Sequence, residues 1–303
     1  MAEHLRIGII GYDTSHAPAF ARLLNCPGEA FHVPGARVVC GYPSYSQDVA
    51  SSRTRVETFR AQLAELGVRE VASVGELVHQ VDAVLLESVD GRRHLSEVTP
   101  VLEAHKPVFV DKPLAASYEN ARKIVQYAQA TATPLFSASS LRYDANVLGV
   151  QEAIQGQAVY GCDAFSPAEL EPTNPGLFWY GVHGVELLYA FMGTGCARVR
   201  CTSTRDADLV VGEWADGRLG TVRATRTGDH DYGVTVFSES TYQARHNREI
   251  PLYAPLVQRI VAFFRGAPAP VCPMETLETM AFMQAALESA QHDGRAIRLD
   301  ALP

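Results

Sequence analysis

In the amino-terminal half of this chain, short apolar runs alternate with stretches of helical apolar spacing, a pattern that constrains it to a parallel sheet with helices on its faces. Leu5 to Gly11 is a β run ending in glycine, and Ala17 to Leu24 follows with the spacing of a helix. A strand over Ala36–Cys40, a helix from Ser51 to Leu66, a short run at Glu70-Val71-Ala72, a helix from Val74 to His79 and a strand at Asp82–Leu86 continue the series. Beyond these, a helix over Tyr118–Ala130 leads to a strand at Pro134–Ser137.

Between them, Val108-Phe109-Val110 reads as a buried parallel strand that stops at Asp111-Lys112-Pro113. Ligands of open α/β sheets bind outside the carboxyl ends of the strands. Pro113 holds Lys112 in extended backbone, so its amine projects from the strand's mouth instead of continuing into a helix. Lys106-Pro107, just upstream, has the position of an entry turn.

A domain boundary falls near Ser139-Ser140, giving a first domain over 1–140 and a second over 141–303. In the second, a helix from Val147 to Gly156 precedes strands at Arg198–Thr204, Leu209–Trp214, Leu219–Thr225 and Gly233–Glu239. Asp216-Gly217 is a hairpin signal between two of them, so this sheet should be mainly antiparallel. The fold class is therefore α/β: a doubly wound parallel sheet followed by an α/β domain with a large open sheet. His230-Asp231 and Arg245 to Glu249 read as solvated loops.

The opening unit, Asp82–Leu86 with His94 downstream, Ala104 to Ala115 around Asp111-Lys112-Pro113, and Arg142-Tyr143 together resemble the glucose-fructose oxidoreductase, inositol dehydrogenase and rhizopine catabolism (Gfo/Idh/MocA) family. Gly181-Val182-His183 before an apolar helix, and the tail from Glu275 to Ser289 with Gly294, extend the resemblance over nearly the whole chain. It implies an amino-terminal Rossmann domain, a nicotinamide cofactor (NAD or NADP) and a sugar, polyol or related hydroxy compound as substrate. Lys112 matches the family's Glu-Lys-Pro lysine and His183 its catalytic histidine, with Asp111 in place of the usual glutamate. A lysine acting as a base near neutral pH needs burial to lower its pKa. Gly8, Gly11, Asp13, Thr14, Ser15, His16, Ser88, His94 and Asp111 are the candidate cofactor residues. Arg142, Tyr143, Trp179 and Glu186 are the candidate substrate residues, with Lys112, His183 and Trp179 expected in one cleft.

Three places depart from the family pattern. The fingerprint's glycine positions read Gly11, Asp13 and His16, which sets a carboxylate where a pyrophosphate would meet bare backbone. The tip of the second strand, Gly41 to Ser46, lacks the acidic residue that takes ribose hydroxyls, and Asp48 comes too late. Trp179 stands four residues before His183 where the family commonly has aspartate, and Glu186 where another often follows. Asp13-Thr14-Ser15 also has a plainer reading as helix-capping side chains.

The formal charge of -8 and the lack of a basic cluster exclude a general nucleic-acid role. Met1-Ala2-Glu3-His4-Leu5 runs into a strand without a cationic leader, and no apolar run would cross a bilayer, so a cytoplasmic protein with no membrane partner is expected. The six cysteines lack Cys-x-x-Cys spacing. The pairs Asp13/His16 and His183/Glu186 have the residue types of a metal centre, but capping and family roles explain them more simply, and no metal is expected. The family resemblance, together with an open sheet that leaves one face for a partner, implies a homo-oligomer. Two other classes remain on these residues: a cofactor-free binding or regulatory protein on the same scaffold, and a non-redox lyase, isomerase or hydrolase.

Overall fold

The computed structural model describes residues 4–249 and 252–303; the leader reading, which rests on Met1 to Glu3, lies partly outside them. The chain forms two compact units. The first holds residues 4–115, 120–137 and 253–273, the second 116–119, 138–249 with 252, and 274–303. The division is thus not one cut near Ser139-Ser140, because a late segment returns to the first unit.

In the first unit the elements alternate: β1 (Leu5–Ile10), α1 (His16–Asn25), β2 (Ala36–Tyr42), α2 (Ala50–Glu65), β3 (Arg69–Glu70), α3 (Val74–Val78), β4 (Ala83–Leu86), α4 (His94–Glu103), β5 (Val108–Val110), α5 (Tyr118–Ala130) and β6 (Leu135–Phe136). The strands pair in parallel in the order β3-β2-β1-β4-β5-β6. Strand order therefore reverses between β1 and β4, the switch point at which doubly wound sheets open a crevice. Ile7, Ile9 and Ile10 of β1, all four residues of β4 and all three of β5 are buried, as expected for strands covered on both faces.

Register fixes what leaves the sheet at that crevice. Ile10 stands beside Leu86 and Leu86 beside Val110, so Gly11, Glu87 and Asp111 exit in one row. The ladder runs one residue past the strands, with Glu87 N donating to Ile10 O at 2.7 Å and Asp111 N to Leu86 O at 2.8 Å.

The second unit contains α6 (Ala145–Ala153), β7 (Gly161–Pro167), α7 (Val182–Met192), β8 (Cys196–Ser203), β9 (Ala207–Trp214), β10 (Leu219–Thr225), β11 (Gly233–Phe237) and β12 (Thr241–Arg245). After α8 (Ala254–Phe264), which lies in the first unit, come α9 (Pro273–Gln291) and β13 (Ile297–Arg298). The sheet runs β12-β11-β7-β10-β9-β8-β13, with β7 and β10 its single parallel pair among the described residues. Gly217, at φ +90°, makes the β9–β10 hairpin expected at Asp216-Gly217. Arg245 is not in a solvated loop: it ends β12, and its guanidinium lies over the Phe165 ring at 5.7 Å.

Helix α7 lies on this sheet through Gly184, where a Cβ would stand 2.7 Å from Ser166 Oγ and 2.9 Å from Val222 Cγ1. Gly149 of α6 has open space around it instead. Gly184→Ala is expected to cost about 1–3 kcal/mol by overpacking, and Gly149→Ala to stabilise by up to about 1 kcal/mol through helix propensity. Urea unfolding of the two variants checks the opposite signs.

Candidate functional site

At the mouth of β4 and β5, the row set by register becomes a cluster of charge. Glu87 and Asp111 are buried, and His16, the first residue of α1, comes down on them. Its Nδ1 stands 2.9 Å from Asp111 Oδ2 and 3.7 Å from Glu87 Oε2. Lys112 Nζ is 3.6 Å from the same Asp111 oxygen, with its side chain 12% exposed. Tyr253, just before α8, meets the His16 ring edge-on at 4.7 Å, and Phe20 stacks on that ring at 5.5 Å.

These contacts set the proton affinities. Burial opposes charge on His16, but the Asp111 carboxylate outweighs it and raises the imidazole to about 10. Burial pushes Glu87 up to about 8, against the pull of His16. Asp111 is equally buried, yet the charges of His16 and Lys112 hold it well below the usual carboxylate range. Neither Glu87 oxygen has a hydrogen-bond partner, and His16 Nδ1 lacks hydrogen-bond alignment despite its short approach to Asp111.

The loop after β1 turns at Gly11, φ +93°, where a Cβ would lie 2.3 Å from Ser88 N, so only glycine fits. Gly8 lies inside β1 against Leu77. Asp13 is fully buried, accepting from Ser52 Oγ at 2.6 Å and from Val89 N at 3.0 Å. Its carboxylate is turned into the protein, so it does not present the like charge to a phosphate that its sequence position predicts. Nor does it cap α1: Ser15 is the N-cap without a side-chain bond, and Thr14 Oγ1 accepts only a 3.4 Å contact from His16 N. Further bonds join the loops after β2 and β4. Ser44 and Ser88 both donate to the buried Glu97, and Ser46 donates to Asp90 at 2.6 Å. Asp48 pairs with Arg92 at 2.7 Å. His94 starts α4 as a buried residue, its ring nitrogens 2.7 Å from Ser88 O and 3.2 Å from Leu114 O.

In the second unit, His183 and Glu186 lie one helical turn apart on α7 and take separate partners. His183 Nδ1 is 2.8 Å from Ser139 Oγ, and Glu186 accepts from Arg142 Nε. Arg142 also pairs with Glu275 at 2.7 Å, and both carboxylates favour its charged form against burial. Tyr180 and Tyr232 meet the His183 ring edge-on at 5.2 and 5.5 Å, and their hydroxyls are 3.2 Å apart. Tyr143 is buried beside Arg142, and Trp179 is half-buried just before α7.

The structure therefore gathers His16, Asp111 and Lys112 at one strand-end cluster and His183, Glu186 and Arg142 around another helix. Asp13 and His16, whose residue types suit a metal centre although none was expected there, take separate partners. Glu87, Tyr253, Tyr180, Tyr232 and Ser139 were not among the expected site residues. Glu87 had a signal, since it is a carboxylate ending an apolar strand as Asp111 does.

Residues 5–138 match the family described as "Oxidoreductase family, NAD-binding Rossmann fold". An inositol 2-dehydrogenase of Rubrobacter xylanophilus is 28% identical over 259 residues, 78% of this chain and 69% of that protein. Among solved structures, a probable dehydrogenase from Thermotoga maritima superposes with TM-score 0.81 at 20% identity, covering 99% of this chain and 100% of that one. Myo-inositol dehydrogenase from Lactobacillus casei, solved with NAD(H) and myo-inositol, gives 0.76 at 17% identity over 99% and 98%. At these identities the two structures are alike in fold.

Asp13 links two loops through a buried carboxylate. Asp13→Ala should strip the partners from Val89 N and Ser52 Oγ and destabilise the protein by about 1–3 kcal/mol. Chemical denaturation measures it, and Ser15→Ala, at an exposed cap without a side-chain bond, should change stability by less than about 0.5 kcal/mol.

Proposed function

Through residues 5–138 the chain belongs to the Gfo/Idh/MocA oxidoreductase family, and on that premise we propose that it is a nicotinamide-dependent oxidoreductase acting on a hydroxyl of a polyol or sugar. The observation that carries the reading is Lys112 at the carboxyl end of β5, beside the β1/β4 switch point where such sheets take their ligands. The inositol dehydrogenases among the relatives support a cyclic polyol as substrate.

Features of the first unit fit a dinucleotide. Gly11 makes the tight turn, and the first turn of α1 carries no acidic residue and no side-chain cap, which favours an anion at that helix start. Asp13 is turned away from it. When bound, the nicotinamide gives or takes a hydride at the substrate carbon. Lys112, held by Asp111, is the proposed proton partner of the substrate hydroxyl, and Asp111 keeps its orientation. His183, with Ser139 Oγ on Nδ1 and Tyr180 and Tyr232 edge-on to its ring, is the second proposed proton-handling group. Arg142, tied to Glu186 and Glu275, braces the helix that carries His183.

One observation favours a second reading, a cofactor-free binding protein: the loops after β1, β2 and β4 are tied to each other by the Asp13, Asp90 and Glu97 bonds. Titration of the purified protein with NAD+, NADH, NADP+ and NADPH separates the two. Saturable binding of one cofactor pair is expected, and no saturation at millimolar concentration favours the binding protein. Lys112→Ala should cut kcat about a hundredfold or more while leaving cofactor affinity nearly unchanged. If Lys112 and His183 serve one step, adding His183→Ala to Lys112→Ala should cost less than the product of the single effects.

We also propose that the chain forms a homo-oligomer through the open face of the second sheet, where Leu209, Leu219 and Phe237 are exposed. Sedimentation at micromolar concentration should give a multiple of 33.0 kDa; a monomer mass overturns it.

A further inference from the structure

The cluster at the ends of β4 and β5 has more charge-bearing atoms than its bonds use. His16 Nδ1, a Glu87 oxygen and an Asp111 oxygen all lie within 4.8 Å of one another, the one such trio among the described residues. Glu87 is 0% exposed, and both its oxygens lack a hydrogen-bond partner. His16 Nδ1 is in the same position, although it is 2.9 Å from Asp111 and 3.7 Å from Glu87. Three separate segments of the first unit bring these atoms together: the start of α1 and the residues following β4 and β5.

The distances suit a shared ion. Nitrogen and oxygen ligands about 2.0–2.2 Å from a metal, at tetrahedral or octahedral angles, stand roughly 3–3.5 Å from each other. The His16–Asp111 and His16–Glu87 separations, 2.9 and 3.7 Å, bracket that range, and the Glu87 and Asp111 oxygens lie within 4.8 Å of each other. We infer that His16, Glu87 and Asp111 form a binding site for one divalent first-row transition-metal ion. An imidazole with two carboxylates favours Zn2+, Mn2+ or Fe2+ over Ca2+ and Mg2+, which take oxygen ligands. Two carboxylates also match the ion's double charge. Three protein ligands leave at least one position for water or a substrate oxygen, as in catalytic rather than structural sites. Lys112 Nζ lies 3.6 Å from Asp111 Oδ2, beside one of the three ligand groups.

A plainer account leaves Glu87 protonated, as its burial favours, and sets His16 and Lys112 against the Asp111 carboxylate alone. It leaves the buried Glu87 oxygens without a hydrogen bond, and the metal site supplies them a partner.

The test uses the whole chain, freed of metal by chelation and titrated with Zn2+ or Mn2+ by calorimetry, without nicotinamide, so that its outcome is independent of the cofactor titration. One ion per chain is expected, with affinity at least about a hundredfold weaker in Glu87→Gln and in His16→Ala. Electron paramagnetic resonance of the Mn2+ form should show coupling to one imidazole nitrogen, absent in His16→Ala. Should a variant fail to fold, anomalous diffraction from the wild-type protein with Zn2+ decides, and a peak between His16, Glu87 and Asp111 is expected. No saturable binding at millimolar ion, unchanged affinity in both folded variants, or an anomalous peak elsewhere overturns the inference and leaves charge pairs only.

Discussion

Adjacent parallel strands carry the chain in step, and that constraint governs the first unit. Because Leu86 stands beside Val110, the next residues of both strands emerge side by side, about 4.8 Å apart across the ladder. Both are carboxylates, and both are buried. An uncompensated carboxylate in such a place costs several kcal/mol, so the fold must bring positive charge, a proton or a metal to the same point. His16 at the head of α1 and Lys112 after β5 are the protein groups that do so. The turn at Gly11, the seating of α1 and the direction of Lys112 all meet at this requirement.

The loops above the cluster are held by a second layer of buried bonds. Asp13 joins the β1 loop to Ser52 and Val89, and Glu97 gathers Ser44 and Ser88. Polar networks of this kind fix one geometry when every member is satisfied. The same network explains how a chain can lack two of three fingerprint glycines and keep the fold: the side chain at the second position is absorbed inside. What a dinucleotide would meet is the Gly11 turn and the uncapped start of α1.

Much of this was legible in the sequence because it is local. Strand–helix alternation fixed the parallel sheet, and the strand-end rule singled out Asp111 and Lys112. The same rule applies to Glu87, which follows Ala83–Leu86, but its significance depends on register with β5, and register is not written in either strand alone. The inward turn of Asp13 was hidden for a similar reason, since its partners Ser52 and Val89 are distant in sequence. Around His183, Tyr180 is close by, whereas Tyr232 and Ser139 come from other segments without any local mark. Helix α8 is a different case. Leu256, Val257, Ile260, Val261, Phe263 and Phe264 have helical spacing, so the helix could be read, but its return to the first unit could not.

The central claim is that the strand ends of the first unit form a working ligand site around the Gly11 turn and Lys112. Diffraction from crystals grown with NADH and a cyclic polyol tests it most directly. The account predicts density for the pyrophosphate against the Gly11 turn and the first turn of α1, with Asp13 still bonded to Ser52 and Val89. A crevice holding only the protein's own side chains, at cofactor concentrations in the millimolar range, would contradict it.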